Sequence, residues 1–327
     1  MKSIVADCAS DAPLGATRRV LGTRYADEVL VGFGALVSDA GVQRPSRLQA
    51  LARHQDVADA LTAAVLRLGV NVDVVQVAEA WPGTVGTSAA ALVQIADALR
   101  GRPRRSYLTV AGAVEIPSVV AVSPDTPVTE LVGLCGGASG DDWVAVAGGA
   151  PNGHLVPRDA LAGDLGELVL ILPTGHEVVR RLRTSLSVWL QRAASLCGGC
   201  QACSDACPEK LDGAELRPSD LVRALVAGSM PSPSVWSCTG CGLCDALCPG
   251  ELSPRALVEA VRSRLSDEAL ALAAEAEQRR RALAEKARVP LPPGVMPPWS
   301  PPHGLDLHLL TTRLGLAQYD RPARALL

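Results

Sequence analysis

Apolar residues recur at helical spacing over residues 18–37 and again over 56–68, where Val57, Leu61, Ala64, Val65 and Leu68 share a face and Gly69 ends the run. Residues 70–77 switch to a two-residue period, with Val70, Val72, Val74 and Val77 in a β-branched strand pattern. A short apolar strand at 4–6 and a helix at 88–99 complete an alternation of β and α elements. Such alternation predicts a layered α/β arrangement with a mostly parallel sheet. Gly32 and Gly34 lie inside the helical pattern and lack a third glycine, so they read as packing positions and not as a nucleotide fingerprint.

From 105 to 156 the pattern changes to short strands, at 107–114, 119–122 and 143–147, around a single helix at 128–135 that Gly136 and Gly137 terminate. Strands wrapped round one helix in about fifty residues predict a small β-grasp unit within an α+β arrangement. The turn from Gly148 to Gly153 has anion-cradle composition, but composition of this kind is ordinarily only a turn. Helical periodicity returns at 177–196, 217–227 and 256–265, the second opened by Pro218 and Asp220, the third by Ser253 and Pro254. A polar helix is expected over 266–288, with Glu275 and Arg279 an i,i+4 pair. A proline-rich linker at 290–302 and a short apolar tail follow.

The composition narrows the function classes. In 327 residues, 48% are hydrophobic and 20% charged, enough to bury a core of two domains or three small ones. Lys plus Arg number 31 against 34 Asp plus Glu, a net charge of −3, so there is no basic field for a phosphate backbone. Five Trp, three Tyr and one Phe leave few stacking platforms for bases. The uncharged stretch 80–96 is interrupted by Pro82, Gly83 and Gly86, and the amino terminus has an apolar run of only three residues before Asp7. Neither a transmembrane helix nor a signal peptide is expected, and the protein reads as cytoplasmic.

A reducing compartment makes ten cysteines poor candidates for disulfides. Eight of them form two copies of C-x-x-C-x-x-C-x-x-x-C-P: Cys197, Cys200, Cys203 and Cys207 before Pro208, and Cys238, Cys241, Cys244 and Cys248 before Pro249. Three thiolates at this step curl round one face of an iron-sulfur cube, and the fourth, ahead of proline, reaches the other cluster. The ligand sets are therefore crossed: Cys197, Cys200, Cys203 and Cys248 for one 4Fe-4S cluster, and Cys238, Cys241, Cys244 and Cys207 for the second. Two zinc sites are the competing reading, but a zinc ribbon uses separated pairs and has no place for a third Cys at the same step. Small residues between the ligands (Gly198, Gly199, Ala202, Gly240, Gly242) allow backbone N–H groups to approach the sulfides. Cys8 and Cys135 lie outside the pattern and are assigned no role. Trp236, beside Cys238, reads as core. No general acid, base or nucleophile stands out, and His176 reads as structural.

On these residues the chain resembles a family of flavin and iron-sulfur electron-transfer proteins. That family includes the cobalamin reductase of the propanediol-utilisation microcompartment and the C subunit of the membrane Rnf complex. The resemblance is carried by Leu108 to Val114, Pro127 to Leu131, Gly136–Gly137, Gly148, Gly149 and Gly153, Leu170 to His176, both cysteine motifs, and Arg313 to Leu316. It implies a truncated complex I flavoprotein-like α/β domain at 1–104, a soluble-ligand-binding β-grasp unit at 105–175, a helical dicluster ferredoxin module at 176–265, and a surface helix, linker and tail at 266–327. It also implies FMN and NADH as cofactors of the α/β layer. Here the sequence departs from the family. The family's Gly-rich loop, which would precede the first strand, has no counterpart among these residues. The acidic turn after that strand appears only as Ser10, Asp11, Ala12 and Pro13, and a Thr-rich stretch is missing from 155–166. FMN and NADH binding are thus in question, while the cysteine set is complete. The expected function is a relay of single electrons from a redox donor protein to a low-potential acceptor, with a corrinoid, cob(II)alamin, inside a bacterial microcompartment as the setting the resemblance implies. The alternatives are a self-contained NADH:FMN-dependent reductase and an Rnf-type subunit assembling at the membrane.

Overall fold

The computed structural model describes residues 5–8, 12–41, 46–77, 87–211, 214–229, 233–262 and 307–327. The chain divides into two units, Met1–Val179 with Gly315–Leu327, and Arg180–Leu314. The polar helix and proline-rich linker expected over 266–302 lie outside the described residues.

The first unit holds two sheets. Strands β1 (Val5–Asp7), β2 (Ser46–Leu51), β3 (Val72–Val77) and β4 (Thr87–Ser88) form an all-parallel sheet in the order β3-β2-β1-β4. Helices α1 (Thr17–Arg24), α2 (Ala26–Asp39), α3 (Gln55–Leu68) and α4 (Ala89–Leu99) belong to the same layer. The helical stretch expected over 18–37 is two helices, parted at Tyr25, whose ring meets Tyr107 edge-on at 6.2 Å. Gly69 closes α3 in the left-handed conformation, and the Ser88 hydroxyl caps α4 by accepting from the Ala91 N–H. Strand β2 lies between β1 and β3, although its sequence, Ser-Arg-Leu-Gln-Ala-Leu, contains no β-branched residue. The packing role of Gly32 is explicit: a Cβ there would stand 2.0 Å from the Leu92 carbonyl oxygen on α4.

The second sheet is mixed, in the order β10-β6-β5-β9-β7-β8. It is built from β5 (Ser106–Gly112), β6 (Ser118–Val122), β7 (Trp143–Ala147), β8 (His154–Val156), β9 (Leu168–Pro173) and β10 (Arg324–Leu326). Helix α5 (Val128–Leu134) buries Val128, Leu131 and Val132 against Leu108, Val120, Ala145 and Ile171. The central pair β5 and β9 is parallel, and β9 reads as a continuous apolar run because it is covered on both faces. The tail is not an appendage. Strand β10 pairs in parallel with β6, and the Arg321 guanidinium donates to the carbonyls of Gly112, Val114 and Glu115. In the Gly148–Gly153 turn the backbone approaches itself closely: a Cβ on Gly153 would lie 2.0 Å from the Gly149 oxygen, so glycine is required there.

The second unit is helical. The continuous helix expected over 177–196 is instead α6 (Glu177–Arg183) and α7 (Leu186–Leu196). The break has a local cause. The Thr184 hydroxyl donates back to the Arg180 carbonyl, and Ser185 is extended at φ −69°, ψ 155°, a Ser/Thr competition with the helical ladder. Short helices α8 (Ala202–Asp205) and α9 (Pro208–Leu211) follow, then α10 (Pro218–Val226), α11 (Leu243–Leu247), α12 (Pro254–Arg262) and α13 (Leu307–Arg313). Trp189, Leu221, Val222, Val235, Leu252, Leu257 and Val258 form the core that joins α7, α10 and α12.

Candidate metal centre

Each cysteine motif wraps a turn whose backbone is set by sequence. Gly199 and Gly240, one residue before the second cysteine of each motif, have φ of +69° and +72°. Gln201 and Gly242, one residue after it, have +63° and +74°. Left-handed residues on either side of the second cysteine bend the chain tightly, and the Gly240 N–H donates to Cys238 Sγ at 3.4 Å. Gln201 does this without the freedom of glycine, at a cost of about 1–2 kcal/mol. After the bend, α8 carries Cys203 and α11 carries Cys244.

The helices that follow are held by the residue after the third cysteine. Ser204 Oγ accepts the Ser219 N–H at 2.9 Å and donates to Ser219 Oγ at 2.8 Å. Asp245 Oδ1 accepts the Arg255 N–H at 2.8 Å, and Oδ2 accepts from Ser253 Oγ at 2.6 Å. In both halves the bonded N–H is at the second helical position, behind a proline at the first (Pro218, Pro254). The two motifs are thus local copies of one structure, each tied to the start of its own following helix.

These turns bring the eight thiols to two places. One cavity is lined by Cys197, Cys200, Cys203 and Cys248. A second is lined by Cys207, Cys238, Cys241 and Cys244. In each, three cysteines come from one motif and the last comes from the other. The cavities differ in cover: Cys197 and Cys200 are exposed, whereas Cys207, Cys241 and Cys244 are buried.

The electrostatics follow the same grouping. Burial pushes the Cys203 thiol up to about 11, with Cys248 adding to it. Burial likewise pushes Cys241 up to about 11, with Cys207 and Cys238 adding. Burial raises the Cys244 thiol well above the ordinary range, with Asp245 and the neighbouring Cys241 adding to it. Bare thiolates packed this closely repel one another, so a cationic centre is needed to hold them deprotonated. Among the described residues no three His, Cys, Asp or Glu side chains converge as they would on a single metal ion. Four thiols at each place, three of them at the C-x-x-C-x-x-C step, fit an iron-sulfur cluster.

The remaining sequence candidates sort plainly. Cys8 and Cys135 are packed in apolar cores, and burial pushes Cys8 up to about 12. His176 accepts the Val178 N–H on Nδ1 and sets Nε2 3.2 Å from the Gly315 carbonyl, a structural role. Trp236 packs at the edge of the helical core with the Arg262 guanidinium 4.9 Å from its ring centre. Ser204, Asp245, Ser219 and Arg255 are absent from the sequence reading. Their signal is the residue after the third cysteine combined with the proline that opens the next helix.

FMN would need a seat for its phosphate at the carboxyl end of the parallel strands. At the end of β1 stands the buried Asp7, which together with Glu167 engages Arg18, the Glu167 contact being 2.6 Å. Glu167 Oε1 is buried with no hydrogen-bond partner among the described residues. Two carboxylates sharing one guanidinium leave this group net negative, which is unfavourable for a phosphate set directly against it.

Residues 190–249 match the 4Fe-4S dicluster domain. The cobalamin reductase PduS of Salmonella typhimurium is 33% identical over 184 residues, covering 53% of this chain and 40% of that protein. Its namesake from Citrobacter freundii is 33% identical over 160 residues, covering 46% and 35%. A component of the ion-translocating oxidoreductase complex of Methanosarcina acetivorans is 30% identical over 112 residues, covering 34% and 23%. The matched regions thus span well under half the length of these relatives. Among the described residues no helix is long and apolar enough to cross a membrane. By its thiol-lined cavities and this pattern of likeness, the chain contains a 4Fe-4S dicluster domain and is related, over about half of its length, to cobalamin reductase PduS.

Proposed function

We propose that this protein carries two 4Fe-4S clusters, one held by Cys197, Cys200, Cys203 and Cys248 and the other by Cys238, Cys241, Cys244 and Cys207, and relays single electrons to a low-potential acceptor. The observation that carries this reading is the composition of the two cavities, each lined by three thiols of one motif and the last thiol of the other. A bound cluster supplies one-electron oxidation and reduction. The protein's residues do the rest. The left-handed turns at Gly199 and Gly240 shape the chain around each quartet, and Ser204 and Asp245 fix the turns to α10 and α12. The exposed cysteines at one cavity give a partner an approach to it, while the buried cysteines at the other exclude water.

Within this reading, residues 1–104 are a flavoprotein-like scaffold. Residues 105–175 are a β-grasp unit completed by the tail, and 176–265 are the dicluster module. Four parallel strands and the mixed sheet around α5 support those assignments. Electrons then arrive from a separate redox protein, and the likeness to cobalamin reductase makes cob(II)alamin the acceptor to test first.

The test is anaerobic reconstitution, followed by addition of FMN and NADH, then dithionite, and stopped-flow mixing of the reduced protein with cob(II)alamin. The expected result is no bleaching of the visible absorbance by NADH, bleaching by dithionite, and reoxidation by the corrinoid. Bleaching by NADH would make the protein a self-contained reductase. A reduced protein that passes no electron to cob(II)alamin would remove the corrinoid from the reading.

A further inference from the structure

The two halves of the cysteine module are built alike and charged differently. Asp245 follows Cys244 where Ser204 follows Cys203. Arg255 is the second residue of α12 where Ser219 is the second residue of α10, and Glu209 follows the Cys207–Pro208 pair where Gly250 follows Cys248–Pro249. Arg255 and Glu209 both line the cavity of Cys207, Cys238, Cys241 and Cys244, whereas the residues lining the other cavity carry no charge. Asp245 is 6% exposed, and its Oδ1 lies 3.6 Å from Cys244 Sγ. Both of its carboxyl oxygens accept hydrogen bonds, Oδ2 from the Ser253 hydroxyl and Oδ1 from the Arg255 N–H, while the Arg255 guanidinium stands 3.9 Å from Oδ2 and Arg181 donates to the Asp245 backbone carbonyl, a donor set that suits the anion.

An anion beside a centre that gains an electron opposes the gain, and burial removes the water that would screen it. The same cavity is the one whose cysteines are buried, and exclusion of solvent acts in the same direction. We infer that Asp245 is a positioning residue for reduction potential: it holds the cluster of Cys207, Cys238, Cys241 and Cys244 at the lower of two potentials, with Arg255 offsetting part of its effect. The enclosed centre then passes electrons energetically downhill to the exposed one. Ser204, the counterpart in the other half, performs the same helix-capping task without the charge. This inference rests on the two-cluster reading above.

The test is a potentiometric titration of the reconstituted full chain followed by EPR, with iron content measured on the same samples. Wild type should show two midpoints. Asp245→Asn keeps Oδ1 as acceptor for the Arg255 N–H and presents its amide NH2 to the Ser253 hydroxyl, which turns to accept it, while losing the charge. It should shift only the lower midpoint, and shift it upward. Arg255→Gln should shift that same midpoint downward. A purely structural role for Asp245 predicts loss of iron or helix content with both midpoints in place. An unmoved lower midpoint in Asp245→Asn, or a shift of the upper one, overturns the inference. Should that variant fail to fold, Arg255→Gln decides alone, and the absence of a downward shift overturns the inference. Iron short of two clusters in wild type would overturn the cluster reading itself, and the inference with it.

Discussion

Exchange of the last cysteine between motifs can be read directly by pairing substitutions. In chain order Cys248 closes the second motif, but in space it belongs with Cys197, Cys200 and Cys203. Deleting one half-buried sulfur costs about 1 kcal/mol of packing or less, too little to unfold a module cored by Trp189, Leu257 and Val258. Loss of iron in Cys248→Ala would therefore report ligation and not folding. Since four thiols line each cavity, Cys248→Ala should lower iron and acid-labile sulfide to about half of wild type, as should Cys200→Ala and Cys241→Ala. The double variants discriminate. Cys248→Ala with Cys200→Ala strikes one cavity twice and should keep about half of the iron, whereas Cys248→Ala with Cys241→Ala strikes both and should keep almost none. The reverse pattern, half retained with Cys241→Ala and none with Cys200→Ala, would refute the crossed arrangement.

Elsewhere in the chain, Gly32→Ala places a Cβ 2.0 Å from the Leu92 oxygen, so α2 and α4 must part. Urea denaturation should show a loss of about 1–3 kcal/mol, and an unchanged midpoint would contradict the close packing. Asp97 is buried, which opposes its ionisation, but the Tyr107 hydroxyl, Arg102 and Arg105 outweigh burial and hold its carboxyl below the usual range. Its contribution is therefore complete above the ordinary carboxylate range and is lost as pH falls through the lowered value. Asp97→Asn should cost about 2–3 kcal/mol at neutral pH, and denaturation at a series of pH values should show the difference from wild type shrinking in acid. In the apo protein, iodoacetamide should label the exposed Cys197 and Cys200 first and leave Cys8, 1% exposed and pushed up to about 12, untouched. Early labelling of Cys8 by mass spectrometry would contradict its burial.

The parts of the fold legible in the sequence are those fixed by near neighbours. Helix α3 shows itself through Val57, Leu61 and Ala64 on one face and Gly69 at its end; α10 and α12 do so through the prolines at their first positions. Strand β2 escapes such a reading because Arg47 and Gln49 stand where β-branched residues would advertise a strand, and its place in the sheet comes from pairing with β1 and β3 on either side. The break between α6 and α7 escapes it because the apolar period continues across Thr184 and Ser185, while the Thr184 hydroxyl bonds back into the ladder and Ser185 leaves it.

Chemical class, by contrast, was already decided at the level of the chain. Cysteine spacing is a local property, and thiols two residues apart on a glycine-bent turn specify a thiolate-bound metal centre wherever the rest of the chain goes. What surrounds those thiols is a matter of tertiary packing. Bringing Cys248 to the first motif and Cys207 to the second, setting Asp245 behind one quartet and Ser204 behind the other, and recruiting residues 324–326 to a sheet whose neighbouring strand lies at 118–122 all depend on contacts distant in sequence. Such contacts are selected by the packing of whole faces, through burial of apolar area and satisfaction of buried polar groups, and no local spacing encodes them.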